Sequence, residues 1–202
     1  LLQVIARTEV VAPYYDLSFQ HASPSVLRRM RRFGGREEFL GLISTIRELD
    51  PRAGIRSNII VGFPGETQED LDELAAFLVD ARLDAVGVFG YSDEDGTEAV
   101  GLANKVDEKV IRERVESITA LVEELMAQRA EDRIGEAMIV LIETIERDDA
   151  GDWIAVGRAG HQGPDDGATV LALEQPSDAA VGEFITAIVV DTDGVDLIAK
   201  RS

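Results

Sequence analysis

Along the first two thirds of the chain, apolar positions switch between a period of two and a period near 3.6. From Val10 to Phe19 the chain is apolar and aromatic, with Tyr14, Tyr15, Leu17 and Phe19, which predicts a short buried strand. Ser23 before Pro24 pairs a capping hydroxyl with a ring suited to a first helical turn. A short basic helix carrying Arg28, Arg29, Arg31 and Arg32 should follow and end at Gly34-Gly35. Over 37–49, Phe39, Leu42, Ile43, Ile46 and Leu49 recur every three or four residues, the spacing of one helix face. The run IRSNIIVGF at 55–63 is β-rich. Thr67, with Asp70 three residues on, forms a capping-box pattern for a helix to about Ala81 that turns Leu71, Leu74, Ala75 and Leu78 inward. Residues 83–91 predict another strand. From Asp107 to about Ile134, Ile111, Val115, Ile118, Val122 and Leu125 mark one long helix.

Strands alternating with helices imply right-handed βαβ units, a parallel sheet and the α/β class. Three such strands make half of a six-stranded open barrel, a partial TIM-like parallel β/α barrel. At Gly135 the pattern changes. Runs at 137–145, 153–158, 168–173, 184–190 and 194–199 are short and β-rich, separated by Asp148-Asp149-Ala150-Gly151, Gly163-Pro164-Asp165-Asp166-Gly167 and Asp193-Gly194. Five short strands predict a small barrel like the oligonucleotide-binding (OB) type. The expected organisation is therefore a half-barrel over 1–134 and a five-stranded barrel over 135–202.

The composition narrows the candidate partners. The 202 residues carry 20 basic and 39 acidic side chains, a net charge of −19. Free nucleic acid is disfavoured, because its binders need a basic footprint over the phosphates, and a basic protein is the better expectation. The chain has no cysteine, which removes disulfides and thiolate metal sites. No apolar run reaches the roughly 20 residues of a membrane span. Arg7 and Glu9 interrupt Leu1–Val11, so it does not read as a signal peptide. No membrane association is expected, and the expected location is cytoplasmic.

In parallel α/β barrels, chemistry sits at the carboxyl ends of the strands. That rule selects Gln20-His21, the turn Gly62-Phe63-Pro64-Gly65-Glu66, and Tyr91-Ser92, which should share one mouth. Gln20 offers a donor and an acceptor together, suited to an amide or a ribose hydroxyl. His21 reads either as a base, ligand or donor, or as a histidine that holds its loop. The glycines at 62 and 65 let backbone approach a ligand, or simply make a strand-to-helix turn. Glu66 suits the dipole of the following helix without any catalytic part. The arginines at 28, 29, 31, 32 and 36 read as an anion site or a solvated helix face. His161 reads as a loop residue.

Three strings, taken in order, are specific. They are YYDLSFQHAS at 14–23, RSNIIVGFPGET at 56–67 and VFGYSDEDGT at 88–97. Together they resemble the radical S-adenosylmethionine methylthiotransferases, and the β-rich tail resembles the TRAM domain of those enzymes. The resemblance covers essentially the whole chain. It implies that the chain is the carboxy-terminal part of a longer enzyme that uses S-adenosylmethionine and two [4Fe-4S] clusters. The cluster cysteines would lie upstream, so this chain should supply no cluster ligand or metal site and be inactive alone. Residue by residue, Gln20, His21, Arg56, Asn58, Ile59, Val61, Gly62 and Tyr91 fall where the family lines its cofactor pocket. No catalytic residue is expected within the chain.

One branch of the family methylthiolates transfer RNA; another methylthiolates an aspartate of a small-subunit ribosomal protein, number twelve. From Gly135 onward there are 14 acidic and 4 basic residues, net −10. Such a tail should repel RNA and dock a basic ribosomal protein. The ribosomal-protein branch is therefore the first expectation. A transfer-RNA enzyme fragment and a non-enzymatic acidic interaction module are the alternatives.

Overall fold

A computed structural model describes residues 1–202. The order is α1 (Leu2–Arg7), β1 (Tyr14–Asp16), α2 (Pro24–Arg29), α3 (Arg36–Leu49), β2 (Gly54–Val61), α4 (Gln68–Ala81), β3 (Ala85–Gly90), a 3-10 turn (Glu98–Gly101) and α5 (Glu108–Glu131). There follow β4 (Ala137–Arg147), β5 (Trp153–Ala159), β6 (Thr169–Ala172), a second 3-10 turn (Pro176–Asp178), β7 (Phe184–Asp193) and β8 (Asp196–Arg201). The chain divides into two compact units. One comprises Leu1–Tyr15, Arg52–Gly54 and Met126–Ser202; the other comprises Asp16–Pro51 and Ile55–Leu125.

The α/β part holds a sheet of order β1-β2-β3, with β2 and β3 parallel from Arg56↔Ala85 to Val61↔Gly90. Helices α3 and α4 bury residues that their spacing marked, Ile43 and Ile46, and Leu71, Leu74 and Leu78, and α4 buries Phe77 as well. Phe77 meets Phe19 and Phe39 edge-on, with ring centroids 5.5 and 6.0 Å away. This aromatic triad, with Phe19 and Phe77 buried and Phe39 part-buried, contributes through area and ring geometry together.

The first strand is shorter than its apolar run. Val10 is 93% exposed, and the ladder covers only Tyr14–Asp16. Pro13 removes a ladder donor just before it. Beyond it, the Phe19 N–H turns back to the Leu17 carbonyl at 2.8 Å, so pairing resumes only as an isolated bridge between Gln20 and Ile59. The helix Leu2–Arg7 precedes this strand and buries none of its residues.

The second fold is a closed barrel of order β4-β5-β6-β8-β7. Its interior takes alternate residues: Met138, Val140 and Ile142 from β4, Ile185, Ala187 and Val189 from β7, with Ala155, Leu171, Leu197 and Ala199. Register shifts between Ile142 and Thr144, and between Val189 and Asp191, bend the strands toward closure. At Gly157 a Cβ would stand 2.1 Å from the Leu141 carbonyl oxygen, so only glycine lets β5 cross β4 there.

Candidate functional site

Strand β2 has two unlike faces. Ile55, Ser57, Ile59 and Val61 are fully buried, whereas Arg56, Asn58 and Ile60 on the alternate face are only part-buried. The buried face lies under helix: a Cβ at Gly90, which pairs with Val61, would meet Ile111 of α5 at 2.9 Å. The side chains of Arg56 and Asn58 therefore share the open face, and those of Ile59 and Val61 lie on the opposite one.

On the open face the parallel register sets Asn58 beside Gly87 and Ile60 beside Phe89. A Cβ at Gly87 would stand 2.7 Å from Asn58 Oδ1 and 3.0 Å from the Phe89 ring. The missing side chain leaves room for the amide. Asn58 Oδ1 is buried and accepts no hydrogen bond within the chain. An inward amide acceptor without a donor costs desolvation and is a place for a ligand N–H.

Gln20 borders this face. Its backbone bridges β2, the N–H donating to the Asn58 carbonyl at 3.0 Å and the carbonyl accepting from the Ile60 N–H at 2.8 Å. Gln20 adopts φ 69°, a strained conformation for a residue with a side chain. Tyr91 closes the far end of the sheet, with its N–H on the Val61 carbonyl at 2.8 Å. Its ring stacks edge-on with Phe63 at 5.1 Å, and Lys105 lies 5.0 Å over it. The Tyr91 hydroxyl donates to Asp93, which also pairs with Lys105. Desolvation first, and then the hydrogen bond to Asp93, hold the phenol above its ordinary range.

His21 has no exposed surface. Its Nδ1 accepts the Ser23 N–H at 3.0 Å, and its Nε2 lies 3.4 Å from Glu66 Oε2. The Glu66 carboxylate accepts the Gly62 N–H at 2.9 and 3.0 Å and pairs with Arg114 of α5 at 2.7 Å. Of the two readings of His21, this geometry favours the one that holds the loop. Glu66 is the hub of that network rather than a simple dipole partner. Arg114 was not singled out by sequence reasoning. Its signal was a charged residue three positions after Ile111, beside an apolar helical stripe, where a buried carboxylate must be its partner.

Asp70 joins two helix starts. It accepts from the Ser23 and Ser25 hydroxyls at the start of α2, and from the Thr67 N–H at 2.9 Å at the start of α4. Burial alone would raise its pKa, but these donors outweigh burial and hold the carboxyl far below the ordinary carboxylate range.

Residues 2–78 match the Radical SAM superfamily, and residues 134–201 match the TRAM domain. The chain is 58% identical over 201 residues to the ribosomal protein uS12 methylthiotransferase RimO of Kineococcus radiotolerans, covering 99% of this chain and 41% of that protein. It is 58% identical over 201 residues to the protein of the same name from Saccharopolyspora erythraea, covering 99% and 40%. To that of Streptomyces griseus it is 54% identical over 202 residues, covering 100% and 40%. The chain thus spans about two fifths of the length of the curated relatives it matches. A parallel β/α sheet followed by a closed five-stranded barrel, with these matches, defines a radical SAM segment followed by a TRAM domain. Within that class, the chain belongs to the radical S-adenosylmethionine methylthiotransferase family.

Proposed function

We propose that this chain is the carboxy-terminal part of an enzyme that installs a β-methylthio group on an aspartate of a small-subunit ribosomal protein. Residues 1–134 would contribute half of the cofactor pocket, and residues 135–202 would be the substrate-docking TRAM domain. The observation that carries the pocket is Asn58: a buried amide acceptor without a donor, made room for by Gly87, on the open face of the sheet. The strands that build it belong to a sequence 58% identical to a ribosomal protein uS12 methylthiotransferase.

The chemistry of these residues fits the adenosyl part of S-adenosylmethionine. Asn58 Oδ1 would accept the adenine amino group. Ile60 and Phe89 would give it apolar contact, and the Gln20 amide would hold the ribose hydroxyls. Arg56 shares this face and Tyr91 bounds it. Ile59, Val61 and Gly62 would support it from beneath. His21, through Glu66, would hold the turn. When bound, the cofactor supplies the means to remove a hydrogen atom from an unactivated C–H bond; the protein's part is to place it and exclude water.

The clusters are a different matter. These residues contain no cysteine and no group of three His, Asp or Glu side chains placed to hold a metal ion. Cluster ligands would come from outside them, and the chain alone is expected to be inactive.

The net charge of −10 over 135–202 supports docking of a basic protein. The arginines near residue 30 are what would favour transfer RNA, but Arg29, Arg31 and Arg32 are already engaged within the chain. No helix is long and apolar enough to cross a membrane, which is compatible with a cytoplasmic site of action. Titration with S-adenosylhomocysteine tests the pocket. Saturable binding to the chain, weakened about tenfold by Asn58→Ala as one buried hydrogen bond requires, is the expected result. Equal affinity of the two proteins would overturn the assignment of Asn58.

A further inference from the structure

Four arginines follow one another closely at the end of α2, and three of them reach three different loops. Arg29 Nη2 donates to the Gly65 carbonyl at 2.8 Å, in the loop between β2 and α4. Arg32 Nη2 donates to the Ser18 carbonyl at 2.7 Å, in the loop that carries Gln20 and His21. Arg31 pairs with Glu98 at 2.5 Å, in the segment between β3 and α5 that begins at Tyr91. The Gly65 N–H also reaches the Asn104 carbonyl at 2.7 Å, linking the loop between β2 and α4 to the segment between β3 and α5. These are the loops at the carboxyl ends of all three parallel strands.

The segment is shaped to make these bonds. Arg31 adopts φ 56°, left-handed for a residue with a side chain, and such strain persists only where the surroundings enforce it. Gly34 follows at φ 114°, where a Cβ would collide with the Phe39 ring at 2.4 Å. The chain therefore leaves α2 through one tight path that turns successive arginines toward different loops. Arg29 is packed as well as bonded: a Cβ on Gly65 would stand 3.2 Å from its Nε.

We propose that Arg29, Arg31 and Arg32 are positioning residues, a clasp that sets the three mouth loops and with them the placement of Gln20 and Tyr91. The link to the cofactor rests on the pocket reading above; the clasp itself does not. Its limbs are unequal. Arg29 is partly sheltered, whereas the Arg31–Glu98 pair has side chains 77% and 68% exposed. An exposed pair of that kind is weak and screened by salt, so the Arg31 limb is the one that releases first.

Hydrogen exchange on the whole chain tests this. Arg29→Met keeps the length of the side chain and removes the donor. Backbone N–H groups of 62–66 should then exchange about tenfold faster, the effect of one hydrogen bond from a charged donor. Arg31→Glu should speed exchange across 92–101 by about two- to fivefold, as an exposed ion pair allows, and Arg31→Glu with Glu98→Arg should restore it. An effect of lost side-chain packing, or of Arg31 acting without Glu98, would not be rescued by reversal of the pair. Unchanged exchange in 62–66 for Arg29→Met, or no recovery in the reversed pair, would overturn the clasp. S-adenosylhomocysteine affinity of the same proteins is the second readout. If the parent chain does not bind it, the pocket reading fails while the exchange result still decides the clasp. If the parent binds and Arg29→Met binds equally, the clasp does not act on the pocket.

Discussion

Replacing Asp70 by Asn is a sharp probe of how this fold is held at its mouth. The side chain keeps its shape and loses its charge. In the native protein one carboxylate oxygen takes the Ser23 and Ser25 hydroxyls, and the other takes the Thr67 N–H at 2.9 Å and the Thr67 hydroxyl at 3.1 Å. An amide can serve only one of these pairs as an acceptor. Its NH2 group then faces either the Thr67 N–H, donor against donor, or two hydroxyls that must rotate. At least one charge-assisted hydrogen bond is lost and one buried donor is left without an acceptor, a cost of about 3 kcal/mol near neutral pH. The cost should depend on pH in one direction. The folded carboxyl titrates below its ordinary value of 3.8, so its stabilisation is complete above that value and fades as pH falls toward the folded value. Urea midpoints of both proteins at about pH 7, 5 and 3 give the difference, which should be constant between the first two and narrower at the third. A difference under about 1 kcal/mol at neutral pH, or one that widens on acidification, would mean that the Asp70 charge does not hold these helix starts.

Other perturbations address the remaining parts of the fold. Arg114→Met leaves the buried Glu66 carboxylate without its cation and should cost about 3–5 kcal/mol, most of it recovered when Glu66→Gln is added; thermal unfolding of the three proteins measures it. Phe77→Ala empties the space beside the Phe19–Phe39 pair and should cost about 3–5 kcal/mol in the same assay. Gly157→Ala drives a Cβ into the Leu141 carbonyl, so the β4–β5 amide resonances should shift or vanish while those of α4 stay in place.

Much of this fold was legible because local and distant requirements agreed. The Thr67–Asp70 capping box and the apolar stripes of α3 and α4 stand where their spacing put them. The five β-rich runs after Gly135 close into a barrel. What stayed hidden depends on partners far along the chain. Nothing near Asp70 announces Ser23 and Ser25, more than forty residues away. Alternation along β2 separates Asn58 from Ile59, but both faces carry apolar residues, so it does not say which face opens. The helix at Leu2–Arg7 has no fully buried residue and is only six residues long, too short for its spacing to stand out. The parallel pairing of β6 with β8 is a consequence of closure and leaves no local mark. Of the candidate site, the rule of strand ends selects Gln20, His21 and Tyr91 from the sequence alone. Gly87 and Phe89 were missed, because their meaning lies in the register with Asn58 and Ile60.

The proposed partner, a basic ribosomal protein, is tested most directly by a binding titration of this chain against small-subunit ribosomal protein twelve and against transfer RNA over a series of salt concentrations. Saturable, salt-weakened binding of the ribosomal protein, with no binding of transfer RNA even at low salt, is the expected result. Binding of transfer RNA without the ribosomal protein would contradict it and assign the chain to the RNA-modifying branch.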